Sequence, residues 1–336
     1  MFSDTQALLE AIKRADKKTR QVHGPEVFLE RAIFLSWYCE KGSCQFCYMS
    51  TQKERIRDGK RARRRPSSIL AEAELLRRIG WKVAFLAGGY GVYPIGEIRE
   101  MARKVHEIVG EPIWLNTGIL SREDMSGFDE SVEGVVGSVE TVNKGLHRVV
   151  CPGKPLEPVE AMLDSAKEIG LKTGMTIILG LGESAEDLPA LMDFIERHRI
   201  DRITLYTLNP HPGTPFADTP PPPSLYQAGV TAALRLRFPR LRITAGTWID
   251  QLPNIGIVLL AGANGITKYP LFRMFGNRFG RKVEEEIAAA GRRVVGTFTD
   301  ASRLEGELKT TFPEREEIES ALQRYVLRIR RGCGPA

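Results

Sequence analysis

The chain has 336 residues, 42% of them hydrophobic and 27% charged, with a formal net charge of +6. That length is enough to bury a large core, and the apolar share is that of a globular domain, not of a disordered chain. No apolar run approaches the ~18 residues of a membrane span, and the charged, amphipathic opening lacks the apolar stretch and small-residue cleavage site of a signal peptide. A cytoplasmic setting without membrane partners is therefore expected.

Residues 1–30 read as a helical lead-in. From residue 32 a unit repeats: a short apolar, β-branched or aromatic run, a turn, then a helical pattern. The runs fall at 32–39, 83–90, 113–118, 132–140, 173–182, 203–210, 241–248 and 263–270. Amphipathic segments lie between most of them, at 67–79, 94–109, 157–169, 185–197 and 224–238. Short strands alternating with helices predict a parallel sheet in an α/β fold. Eight such units match a (β/α)8 TIM-type barrel, full or partly open; a six-stranded doubly wound sheet is the other arrangement the pattern allows. The division expected is a lead-in at 1–30, a barrel at 31–290 and a tail at 291–336. The tail carries a helix at 313–331, long enough to act as a lid over the active site.

Three of the five cysteines, Cys39, Cys44 and Cys47, fall within nine residues at C-x4-C-x2-C spacing. Soft thiolates so close suit a soft metal centre. Zinc wants a fourth ligand, and the nearest histidines, His23 and His106, are far off in sequence. Three thiolates on one loop are what a 4Fe–4S cluster with one open iron requires. Zinc and plain buried thiols stay open at this point. The basic run at 53–65 (KERIRDGKRARRR) carries no interleaved aromatics, which favours a solvated or partner-docking surface over nucleic acid.

The predicted strands end in small or polar residues, among them Cys39, Gly88, Gly89, Asn116, Ser138, Glu140, Glu183, His211, Thr247 and Lys268. In a barrel those ends form the mouth where chemistry occurs.

The cysteine loop resembles that of the radical S-adenosylmethionine (SAM) enzymes, with Phe46 at the aromatic place before the last cysteine. The family's commonest spacing is one residue shorter, and Gly42–Ser43 suit a bulge that absorbs the extra residue. Gly88–Gly89–Tyr90 stands where many relatives have Gly-Gly-Glu, whose backbone holds the methionine amine of SAM. Ser138–Val139–Glu140–Thr141 is similar to the Ser-x-Glu-Thr whose acid binds the SAM ribose. Arg148 and Lys154 are candidates for the SAM carboxylate. The segment 175–184 (MTIILGLGES) resembles the fifth strand of biotin synthase, implying that apolar residues such as Ile177 meet adenine and that Glu183 caps the next helix. The run 209–215 (NPHPGTP) is similar to hydrogenase-maturase and methylornithine-synthase relatives, with His211 as a substrate-contact candidate. Ala261-Gly-Ala-Asn264 resembles the last strand of biotin synthase.

The resemblance implies a biotin-synthase-like radical SAM enzyme with a 4Fe–4S cluster and SAM as cofactors. One-electron reduction of the cluster cleaves SAM to a 5′-deoxyadenosyl radical, which abstracts hydrogen from the substrate. It also implies a low-potential electron donor of ferredoxin or flavodoxin type. Thr117 and Met175 stand where biotin synthase has cysteines for its sulfur-donating cluster, so that ligand set is absent. Cys151 and Cys333 are left over and are candidates for a different auxiliary cluster, with His147 as a non-cysteine ligand. On that basis the expected reaction is sulfur insertion into an octanoyl chain, as in lipoyl synthases built from paralogous subunits, with residues 60–65 docking an acidic lipoyl carrier domain. The alternatives are sulfur-free chemistry, as in hydrogenase-cofactor maturation, and a zinc- or cluster-bearing nucleic-acid-binding protein.

Overall fold

The structure, a computed structural model, describes residues 4–308 and 310–332. Helix α1 (Thr5–His23) starts at Asp4, whose side chain accepts from the Ala7 amide. There follow β1 (Glu26–Phe34), α2 (Pro66–Ile79), β2 (Lys82–Ala87), α3 (Ile95–Val109), β3 (Ile113–Asn116), α4 (Arg122–Ser126), β4 (Val132–Glu140), α5 (Lys144–Val150) and α6 (Glu157–Glu168). The next elements are β5 (Lys172–Leu179), α7 (Leu188–Arg197), β6 (Arg202–Thr207), α8 (Ser224–Arg237), β7 (Arg242–Gly246), α9 (Asn254–Leu260) and β8 (Gly265–Thr267). Then come α10 (Leu271–Met274), α11 (Arg278–Ala289), β9 (Arg293–Val295) and α12 (Arg315–Gly332).

Each strand from β1 to β7 pairs in parallel with the next, and β8 pairs with both β7 and β1. The sheet is thus a closed (β/α)8 barrel, and the open doubly wound alternative is overturned. Strand β9 lies outside the ring, alongside residues 26–28 of β1. No helix among the described residues is long and apolar enough to cross a membrane.

Three expected boundaries are corrected. Strand β1 starts at Glu26, inside the segment read as a lead-in, because Glu26, Glu30 and Arg31 broke its apolar pattern. The strand ends at Phe34, so Cys39 follows in a loop and does not end the strand. The segment read as a tail contributes β9, too short for a periodic signal. Helix α12 buries Ile318, Ala321, Leu322 and Ile329 and packs on α2 and α10. The Tyr325 hydroxyl lies 2.7 Å from Ser68 Oγ and 3.0 Å from Arg64 Nη2. An apolar helix stripe needs an apolar partner, and here the outer wall supplies it. The described part of α12 therefore braces that wall and is not a lid over the mouth.

The inside of the barrel is charged. Glu30 accepts from Arg202 Nη2 (2.8 Å), Arg242 Nη2 (2.8 Å) and Thr244 Oγ1 (3.2 Å), and Arg202 also stacks over Trp114 at 5.0 Å. Burial pushes the Glu30 carboxyl up, but Arg242 and Arg202 outweigh it and hold it below the ordinary carboxylate range. Removing the acid leaves the buried Arg202 guanidinium, and the partly exposed Arg242 beside it, without their partner, which costs about 3–5 kcal/mol. Glu30→Ala is expected to lose that much in anaerobic urea unfolding. A group with a lowered folded pKa contributes fully at neutral pH and loses its contribution as the pH falls below the carboxylate range, so the variant's deficit shrinks in acid.

Candidate metal and cofactor site

The cysteine loop leaves the top of β1 and is held on three sides. The Glu40 amide donates to the Tyr90 carbonyl (3.0 Å) and the Gln45 amide to the Val150 carbonyl (2.9 Å). The Gly153 amide donates to Ser43 Oγ at 3.1 Å. Gly42 sits at φ +45°, and a Cβ there would meet Lys53 Cδ at 2.8 Å. Gly42 and Ser43 thus absorb the longer C-x4-C spacing, one by its backbone conformation and the other by its anchor.

Cys39, Cys44 and Cys47 are unpaired thiols, each partly exposed. Cys39 Sγ accepts from the Tyr90 amide at 3.4 Å. Cys44 and Cys47 pack with buried Phe46, Val150, Cys151, Leu181 and Leu208 and with partly buried Ile178 and Phe216. Cys151 hydrogen-bonds to Cys44, which lowers the Cys44 pKa; that bond, then burial, raises the Cys151 thiol far above its usual range. Burial pushes Cys47 up to about 11. An apolar, low-dielectric pocket penalises a bare thiolate and so rewards a metal that takes up its charge.

Strand β4 ends in a kink. Its register against β5 shifts between Ser138 and Glu140, the Thr141 amide turns back to the Val139 carbonyl (2.8 Å), and Glu140 has φ +65°. This places the Glu140 carboxylate between Lys154 Nζ (2.9 Å) and Thr176 Oγ1 (3.1 Å). Lys154 Nζ also donates to the Ser138 carbonyl at 2.7 Å. Burial alone would lower the Lys154 ammonium, but Glu140 together with Cys151, Cys44 and Tyr90 outweighs it and raises the pKa well above the ordinary lysine range. Two oxygens of a carboxylate offer about four acceptor sites, so Glu140 keeps capacity for further donors.

The other expected residues are placed as follows. A Cβ at Gly89 would overlap the Tyr38 carbonyl oxygen and lie 2.5 Å from Cys39 Cα, whereas at Gly88 the nearest atom is 4.0 Å away. Gly89 is therefore the glycine that the cysteine loop requires. Ser138 Oγ donates to Asn116 Oδ1 at 2.9 Å. Phe46 is buried beneath the loop. Arg148 is exposed, so of the two cations considered for a SAM carboxylate only Lys154 is buried in the site, already engaged by Glu140. Ile177 faces the helix layer with Leu188, Leu191 and Val230; its neighbour Ile178 is the β5 residue packed with the cysteines. His147 is buried, with Nε2 lacking a partner among the described residues. The His211 ring stands 5.8 Å from that of Tyr48. Cys333 lies outside the described residues.

Glu183 is corrected. Its carboxylate accepts from the amides of Gly180 (2.8 Å) and Leu181 (3.0 Å), and the turn before α7 is capped by Ser184 in a capping box with Asp187. The acid thus closes the Gly-Leu-Gly turn, because Gly180 and Gly182, at φ +101° and +121°, bend the chain back over it. Glu140, Ile177 and Glu183 line one cavity of about 30 Å³ between β4, β5, α7 and α8.

These residues fit an iron–sulfur cluster better than a single ion. Among the described residues no three His, Cys, Asp or Glu side chains converge on one ion. A lone zinc needs its sulfurs at about 2.3 Å from one point. Three thiols around an apolar pocket, a backbone amide aimed at one sulfur and the glycine cradle at Gly89 match a larger group.

A family model described as the Radical SAM superfamily matches residues 37–195. An uncharacterized protein of Methanocaldococcus jannaschii is 42% identical over 96% of this chain and 95% of its own length. The FeFe-hydrogenase maturase subunit HydE of Thermotoga maritima is 28% identical over 76% of this chain and 73% of its own. The crystal structure of methylornithine synthase (PylB) superposes with a TM-score of 0.70 at 21% identity, covering 100% of this chain and 91% of that one; this likeness concerns the fold.

The steric contrast at the glycine pair gives a direct test. Gly89→Ala is expected to displace Cys39 and lose most reconstituted iron, measured as iron and sulfide per chain after anaerobic reconstitution. Gly88→Ala is expected to keep it.

Proposed function

The chain belongs to the radical SAM superfamily, and we propose that within it the protein catalyses sulfur-free hydrogen abstraction on a small substrate, as a cofactor-biosynthesis enzyme of the hydrogenase-maturase kind. Cys151 carries this reading. It is 1% exposed and packs in one apolar cluster with Phe46, Cys44 and Cys47, so its sulfur forms part of the wall of the first site and not a separate ligand set. The relation to HydE supports it. Sulfur insertion into an octanoyl chain, the lipoyl-synthase reading, needs Cys151 and Cys333 to hold that second cluster.

In this reading Cys39, Cys44 and Cys47 hold three irons of a 4Fe–4S cluster, and the backbone at Gly89 and the Glu140 carboxylate hold SAM. Bound together, these groups would supply the radical chemistry of hydrogen abstraction. The chain's own part is to position them and exclude water. Tyr90 N–H binds and steadies the Cys39 sulfur, Lys154 and Thr176 fix the rotamer of Glu140, and Phe46, Ile178 and Leu181 keep the pocket dry. An acidic, low-potential donor of ferredoxin or flavodoxin type is the partner we propose for exposed Lys60, Arg61 and Arg65 beside the cysteine loop. Under the lipoyl-synthase reading the same face would receive an acidic lipoyl domain. Arg63 and Arg64 are not part of it, since they pair with Glu97 and Glu72. A reducing cytoplasm suits these free thiols.

Dithionite-reduced protein is expected to turn SAM into 5′-deoxyadenosine and methionine, and Cys44→Ala to yield neither. Wild type and Cys151→Ala should both carry about four irons per chain, one cluster's worth. About eight in the wild type, halved in the variant, would instead establish the sulfur-donating reading.

Glu140 gives a further test. A charge-assisted hydrogen bond is worth about 1.5–3 kcal/mol, so Glu140→Ala should weaken SAM binding roughly tenfold or more in equilibrium dialysis while the cluster spectrum stays intact.

A further inference from the structure

The cofactor residues sit at the ends of β1, β2, β4 and β5 and on the loops they lead into. The arc of the mouth formed by β6, β7 and β8 holds one lysine with a different environment. Lys268 follows the last residue of β8 at φ +80°, a strained value for a residue with a side chain. Its Nζ stands over three rings: Tyr206 at 4.8 Å, Trp248 at 5.3 Å and Phe34 at 5.9 Å. The site is built for this. Gly246 has no Cβ because the Tyr206 ring fills that space, and Trp248 Nε1 donates to the Thr207 carbonyl at 3.1 Å. Phe34 is itself stacked on Trp37 at 4.4 Å, and Trp37 is 46% exposed, so an apolar slab runs from the lysine to the opening.

Among the described residues, no carboxylate lies within ion-pair distance of Lys268 and no hydrogen bond satisfies its ammonium. Lys154 across the mouth differs, with Glu140 and the Ser138 carbonyl both engaged. Aromatic faces compensate only part of the desolvation of an ammonium. A cation held deep in a barrel, partly reached from the mouth and without a counter-ion, is the complement of an anionic ligand. A phosphate dianion carries more acceptor oxygens than one ammonium serves, whereas a carboxylate matches it.

We propose that Lys268 anchors the carboxylate of the substrate, with the substrate's apolar stem lying along Phe34 and Trp37. The assignment of the anion to substrate rests on the radical SAM reading, which puts SAM on the β2–β5 side; binding at Lys268 can be measured without it.

The probe is radiolabelled hexanoate, with uncharged hexanamide as control, in equilibrium dialysis against anaerobically reconstituted protein containing SAM. Wild type is expected to bind hexanoate saturably and hexanamide at least roughly tenfold more weakly, the loss of a charge-assisted bond. Lys268→Met, similar in length but uncharged, should lose hexanoate by the same factor with SAM affinity and iron content unchanged. Lys268→Arg, which keeps the charge, should retain saturable binding. Three outcomes each overturn the proposal: no saturable hexanoate binding in the wild type, equal binding in wild type and Lys268→Met, or a loss of SAM affinity in Lys268→Met, which would make the anion that of SAM. Failure of the radical SAM reading itself shows separately, as a wild type that forms no 5′-deoxyadenosine with dithionite.

Discussion

The mouth of this barrel depends on one buried ion pair, Lys154 with Glu140. Both side chains lose most of their water, and such pairs are stable only where geometry is good and the remaining donors are used. Here they are: the Lys154 ammonium also holds the Ser138 carbonyl, so it spans the kink at the end of β4 from both sides. Lys154 adjoins Gly153, whose amide binds Ser43 in the cysteine loop. A single lysine therefore couples the bend of β4, the segment after α5 and the three cysteines into one unit. The metal-binding loop has little regular structure of its own, and this coupling substitutes for it.

Beneath the mouth, the barrel is closed by charge instead of by aliphatic packing alone. Glu30, Arg202 and Arg242 meet inside it, with Trp114 stacked against Arg202. In such a low-dielectric interior each charge is felt strongly by its neighbours, so Glu30 offsets much of the field of the two guanidinium groups beneath the site.

Much of this was legible in the chain. The alternation of apolar runs and amphipathic segments carried the barrel, and the cysteine spacing carried the metal site, because both are local patterns. What escaped depends on long-range pairing. The first residues of β1 were hidden by Glu26 and Glu30, charges whose partners lie far along the chain. Glu140 could be read as an acid at a strand end, but neither its kink nor its pairing with Lys154 has a local signature. Ile177 and Ile178 could not be assigned to the helix side and the cysteine side from the sequence, because a strand with both faces buried does not display which way it alternates. Lys268 was legible as a polar residue at a strand end on the mouth, but its ring environment was not, because Phe34, Tyr206 and Trp248 come from distant parts of the chain.

Backbone strain marks the same two places. Among the described residues, Glu140, Arg199 and Lys268 are the non-glycine residues with positive φ. Arg199 follows α7 at the end away from the mouth, where a helix hands over to β6. Glu140 and Lys268 end β4 and β8, strands on opposite sides of the closed ring. A left-handed residue at a strand's end turns its side chain off the strand's own alternation, at a cost of about 1–3 kcal/mol that the rest of the fold must offset. An ordinary strand ending would send these side chains to the wall or to solvent. The two strained ends place an acid and a cation at facing points over the cysteines. The acid already has its partner, and the cation has only rings. The strain is symmetric across the barrel and the charge compensation is not, which is the arrangement expected of a mouth holding one resident cofactor and one exchangeable anion.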